Sequence, residues 1–124
     1  MIHKLHTSSK TEEIFRNLNN SLNLQPFILS KLAIALSIRH GELSEEDFLK
    51  DTSGLELARQ TIFGGHELMF KMLITDSEKR PLTDEEFFSK YIKAHLDRGA
   101  ILLENEKRYS KDFYNHLCNL DNNI

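Results

Sequence analysis

The chain has 124 residues, 40% hydrophobic and 28% charged, with 16 Lys and Arg against 19 Asp and Glu for a formal net charge of -3. This is one ordinary soluble domain with a single modest core, too small for a TIM barrel or for a cofactor domain joined to a separate substrate domain. The lone Cys118 can form no intramolecular disulfide, which fits a reducing compartment.

Residues 2 to 7 read as a short extended segment, although Ile2 and Leu5 are three apart and break strict alternation. Ser9-x-x-Glu12 has the spacing of a capping box and opens a helix to about Leu22, with Ile14, Phe15, Leu18 and Leu22 on one face. Asn19, Asn20 and Asn23 weaken that helix and permit a turn. Pro26 suits the first turn of a second helix, to about Arg39, which apolar residues from Phe27 to Ile38 nearly surround. Such a helix is either the centre of the core or part of a subunit interface. His40-Gly41 ends it, and Ser44-Glu45-Glu46-Asp47 starts a short helix with acids at its positive end. Leu55 to Phe63 and Glu67 to Ile74 read as helices on either side of Gly64-Gly65. Asp76 to Leu82, containing Pro81, is the clearest loop. Thr83-x-x-Glu86 is a second capping box, opening a helix to about Leu103 in which Gly99 allows close packing. Tyr109, Phe113, Leu117 and Leu120 form the stripe of a terminal helix. The expected fold is one all-α domain over residues 1-124, with a short extended N-terminal segment.

Charge is unevenly distributed. Residues 1 to 40 carry five cations (Lys4, Lys10, Arg16, Lys31, Arg39) and two acids, whereas residues 41 to 60 carry six acids and two cations. Solvated faces account for runs of this density. The functional reading is a basic N-terminal face from which the acidic stretch points away.

The chain offers little for catalysis. His3, His6, His40, His66, His95 and His116 are scattered and lack the spacing of a zinc site. His116 and Cys118, two apart, point away from each other on a helix, so Cys118 reads as a packed residue. Gly64-Gly65 before a helix could cradle a phosphate, but it matches neither dinucleotide nor P-loop fingerprints, and packing is favoured. Glu85-Glu86 belongs at a helix start. No catalytic residue, metal or cofactor is expected.

The first 40 residues follow the order of a ribbon-helix-helix unit, in which two chains pair their strands and cations hold phosphates. Lys4 and His6 would face outward, with Lys10, Arg16 and Lys31 nearby. A plain helical bundle whose first residues are an ordered arm fits the pattern equally.

Met1 to Ser8, Pro26-Phe27-Ile28-Leu29, Gly54 to Gly64 and Ala94-His95-Leu96-Asp97-Arg98-Gly99 resemble the DndE family of the bacterial DNA phosphorothioation system, which replaces a non-bridging backbone oxygen by sulfur. The resemblance covers nearly the whole chain and is most specific at Gly54 to Gly64 and His95 to Gly99. The family pattern has an acid after the Phe-Gly pair, where Gly65 stands here. The resemblance implies a small helical protein that self-associates, with a tetramer suggested, and that binds duplex DNA, nicked duplex in particular, through a lysine-rich surface. It also implies sulfurtransferase and ATPase subunits as partners, and no catalytic residue. Arg59 and Arg98 fall in the resembling blocks, where an ion pair with a neighbouring acid is at least as good a reading as a phosphate contact.

The expectation is therefore a non-enzymatic, homo-oligomeric DNA-binding accessory subunit, with Lys4, Lys10, Arg16 and Lys31 as its phosphate-binding surface. The N-terminus lacks the apolar core of a signal peptide and no run approaches the roughly 20 apolar residues of a membrane span, which points to the cytoplasm and no membrane partner. One alternative is an adaptor that docks on the sulfurtransferase or ATPase and has no independent DNA binding. A nuclease is the other, and would need clustered carboxylates on a metal.

Overall fold

The most apolar stretch of the chain, Pro26–His40, forms a helix through the middle of the molecule. The structure is a computed structural model describing residues 2–108. Its elements in order are β1 (Lys4–His6), α1 (Ser9–Leu22), α2 (Pro26–His40), a 3-10 turn (Glu45–Asp47), β2 (Glu56–Ala58), α3 (Arg59–Phe63), α4 (Glu67–Glu78), a π-helical stretch (Glu86–Ile92) and α5 (Lys93–Arg108). The fold is mainly helical with one two-stranded ribbon.

Helix α2 packs chiefly on α5 and also meets α1, α3 and α4, so the reading of it as core holds. Leu29, Ala33 and Ile34 are fully buried, together with Ser30 and Ser37. Gly99 makes the close approach possible: a Cβ there would lie 1.8 Å from the Ala33 carbonyl oxygen. Phe63 anchors a second part of the core, stacked on Phe87 at 5.7 Å and tilted against Phe70 and Phe88. Among the described residues no single helix is long and apolar enough to cross a membrane.

Helix α1 spans the expected residues, but its cap lies one position earlier. Ser8 Oγ accepts the Thr11 N–H at 3.2 Å, and the Asp51 carboxylate takes the Ser9 N–H and hydroxyl, each at 2.9 Å. That carboxylate fixes Ser9 as the first helical residue. The short helix expected at Ser44 forms as a 3-10 turn, with a capping box between Ser44 and Asp47, and the box at Thr83/Glu86 forms as expected, with both reciprocal bonds at 3.1 Å.

Three sequence expectations are corrected. Leu55 to Phe63 is not one helix: Glu56–Ala58 is a strand antiparallel to β1, with Leu5 opposite Leu57, and only Arg59–Phe63 is helical. Leu, Glu and Ala favour helix locally, but pairing buries Leu5 and Leu57 together and satisfies both backbones. For the same reason the ribbon-helix-helix alternative changes: the strand partner of β1 lies in its own chain, not in a second copy. Helices α1 and α2 turn through 115°. The expected loop from Asp76 begins later, since α4 continues to Glu78 and ends on a left-handed Lys79 (φ 59°) two residues before Pro81.

The last long helix reaches Arg108 and contains the π-helical stretch, which the sequence did not disclose. Its buried residues, Phe87, Phe88, Tyr91 and Ile92, have a spacing that also places them on one side of an α-helix. The stripe Tyr109, Phe113, Leu117, Leu120 and the pair His116 and Cys118 lie outside the described residues.

Candidate nucleic-acid interface

Among the described residues several cations are bonded into the fold. Arg59 is buried at the start of α3, where it donates to both oxygens of Asp84 at 2.7 and 3.1 Å, to Glu67, and to the Ile2 carbonyl at 2.9 Å. Asp84 and then Glu67 hold the guanidinium firmly charged against the cost of burial, and it also lies over the Phe88 ring at 4.7 Å. Arg98 donates to the Ser37 hydroxyl (2.8 Å) and to the carbonyls of Ser37 and Gly41 (2.5 Å each), closing the end of α2 onto α5. Lys93 pairs with buried Asp97 at 2.7 Å, and Asp97 in turn accepts from the Ser8 N–H and the Thr11 hydroxyl at 3.0 and 2.7 Å. Arg59 and Arg98, from the family-like blocks, are thus structural.

The expected interface residues are held more loosely. Lys4 lies on the outer face of β1, 3.4 Å from Glu56, to which His6 also turns at 3.9 Å. On α1, Lys10 faces Glu13 at 4.0 Å and Arg16 faces Glu12 at 3.3 Å. All six of these lysine, arginine and glutamate side chains are about a third exposed or more. Lys31 rests 5.3 Å over the Phe27 ring, and its ammonium is 3.5 Å from where a Cβ on Gly64 would sit. Gly64 ends α3 with φ 56°, a conformation that favours glycine, and a Cβ on Gly65 would meet nothing within 4 Å, so a turn and not close packing accounts for the pair.

The four cations are not gathered into one tight patch. Gly64, beside Lys31, lines a depression of about 400 Å³ with His3, Gln60 and Glu67. Arg16 lines a different groove with Gln25, Pro26 and Leu55. Lys10 and Arg16 are about 9 Å apart along α1 and about 120° apart around it. Arg39 is exposed at the end of α2. Among the described residues no three His, Cys, Asp or Glu side chains gather as metal ligands.

Sequence reasoning missed one buried polar site. Ser37 Oγ and His95 Nδ1 lie 2.8 Å apart, Arg98 donates to the same hydroxyl, and His95 Nε2 is buried with no hydrogen-bond partner. Burial first, and the charge of Arg98 second, push the His95 imidazolium down to about 4, so the ring is neutral. The signal was the His95 to Gly99 block, whose conspicuous residues serve the α2–α5 seam.

These features define a mainly helical single-domain protein with a small ribbon, structural buried charges and lightly held surface cations. The family model described as DNA sulphur modification protein DndE matches residues 4–111, and the chain belongs to that family. In fold it is similar to the crystal structure of DndE from Escherichia coli B7A involved in DNA phosphorothioation modification, with a TM-score of 0.66 and 20% identity over 83% of this chain and 97% of that one. The DndE G21/24K mutant involved in DNA phosphorothioation is similar at TM-score 0.65 and 21% identity, over 82% and 97% of the respective chains. No curated protein matches the sequence.

Proposed function

We propose that this chain is a non-enzymatic accessory subunit of the DNA phosphorothioation machinery that binds duplex DNA, nicked duplex included, through Lys4, Lys10, Arg16 and Lys31. In this reading it works in the cytoplasm as a homo-oligomer, a tetramer in the family's manner, beside sulfurtransferase and ATPase subunits. The observation that carries the reading is the division of cations: Arg59, Lys93 and Arg98 are bonded inside the fold, whereas Lys4, Lys10 and Arg16 face acids at the surface and Lys31 rests over the Phe27 ring. An exposed ion pair contributes only about 0–1 kcal/mol, so a phosphate can replace the acid at little cost. Each replacement releases counterions from the duplex, and a repeated subunit multiplies a modest patch. Such contacts position DNA without reading its sequence.

Fluorescence anisotropy of intact and singly nicked duplexes with the isolated protein at low salt tests the reading. Saturable binding, tighter to the nicked duplex, is expected. Absence of binding by protein that still co-purifies with the sulfurtransferase or ATPase would favour the adaptor alternative. Magnesium-dependent nicking that vanishes on substitution of one acid would make the chain a nuclease.

A further inference from the structure

Helix α4 carries an apolar face that the described residues leave uncovered. Leu68, Met69, Met72 and Leu73 are 70%, 48%, 64% and 44% exposed, while Phe70 and Ile74 of the same helix are buried. The exposed four follow i, i+1, i+4, i+5 and so form one stripe, bordering a shallow groove of about 930 Å³. Single exposed apolar residues are ordinary, but a contiguous stripe of large ones marks a contact surface.

We infer that this stripe is the surface through which two copies of the chain meet, α4 against α4, antiparallel about a two-fold axis. The inference rests on the self-association proposed above and assigns it a place. The stripe is its own complement: with the axis between Phe70 and Lys71, Leu68 opposes the second copy's Leu73, and Met69 opposes its Met72. The same register places Asp76, at the far end of each stripe, against Gly65 and His66 at the start of α4 in the second copy. There the N–H groups of the first turn of α4 and the positive end of the helix favour a carboxylate. Among the described residues Asp76 has no ion-pair partner within its own chain. Between Leu68 and Asp76 no charge interrupts the stripe, and Lys71 stands at its edge with its ammonium 5.8 Å over the Phe87 ring. An uncharged apolar face with a carboxylate at its end is also the wrong surface for phosphate.

The test is the mass of the full-length protein by light scattering and sedimentation at micromolar concentration. Wild type is expected to be oligomeric and Met72→Glu to lower the mass while helicity and melting temperature hold, since Met72 is exposed. A charge exchange guards against a variant that folds poorly. His66→Glu alone sets a carboxylate against Asp76, and Asp76→Lys alone sets an ammonium against the positive end of α4, each twice per interface, and each should weaken association about tenfold. The two together should restore it. Each single change also suits the dipole of an isolated α4, so weaker association would not come from a weaker helix. A monomeric wild type would overturn self-association and this face together. An oligomer whose mass is unmoved by Met72→Glu and by both charge variants would overturn the face and leave self-association standing.

Discussion

Replacing Gly99 by Ala sets two effects of opposite sign against each other. In an open helix this exchange stabilises by about 1 kcal/mol, because Ala is the better helix former. Here the added Cβ would lie 1.8 Å from the Ala33 carbonyl oxygen and 2.3 Å from its carbonyl carbon, inside the 3.0 Å that real Cβ contacts respect. The obstacle is backbone within α2 and cannot rotate away, so α5 must shift by at least about 1.2 Å. That movement would loosen the Arg98 bonds to Ser37 and Gly41, which join the same two helices. Overpacking of this severity outweighs the gain in propensity, and a net loss of about 3 kcal/mol is expected from a total of roughly 5–15 kcal/mol. In a urea titration followed by circular dichroism the midpoint should fall by about 2 M with an unchanged slope. A variant as stable as wild type, or more so, would refute the close α2–α5 approach.

Other consequences can be checked separately. Arg59→Met should cost about 2 kcal/mol in thermal or urea unfolding, below the figure for a fully buried pair because Glu67 and Asp84 are 38% and 37% exposed and can rehydrate. Arg59→Lys should recover only part, since one ammonium cannot serve Asp84, Glu67 and the Ile2 carbonyl together. His95 is pushed down to about 4 by burial, below its unfolded value of 6.5, so the unfolded chain binds the proton first as pH falls. Its contribution is complete above about pH 6.5 and is lost as the pH falls through about 4, some 3 kcal/mol in all, and His95→Gln should flatten this part of a stability–pH curve. Gly54→Ala would drive a Cβ to 2.1 Å from the Ser8 carbonyl oxygen, and amide exchange in β1 and β2 should accelerate.

The helices were legible where their signals are local. Pro26 started α2, Thr83 and Glu86 capped the helix before Phe87, and the surrounding apolar residues of α2 marked it as core or subunit interface, of which the packing on α5 shows the core. The ribbon was not legible, because β2 exists through pairing with residues some fifty positions earlier, and its Glu, Leu and Ala favour helix on their own. The cap of α1 moved to Ser8 because Asp51, distant in sequence, claims Ser9. For the interface, the sequence located the cations but could not show that Glu56, Glu13 and Glu12 stand beside Lys4, Lys10 and Arg16. Two of those acids lie in the same net-basic segment, where a segmental charge count hides them. The role of Arg59 and Arg98 was left between ion pair and phosphate contact, and their carboxylate and carbonyl partners decide for structure.

The central claim, that the N-terminal cations hold the DNA backbone, is tested most directly by duplex affinity measured against salt. Each phosphate contact contributes about 0.9 to the slope of log affinity on log salt, so Lys4→Ala with Lys10→Ala should flatten it by about two units. Adding Arg16→Ala and Lys31→Ala should flatten it further, with the fold unchanged by circular dichroism. A wild-type slope that all four substitutions leave unchanged would contradict the assignment and move the interface to other cations, such as Lys90 or Lys107.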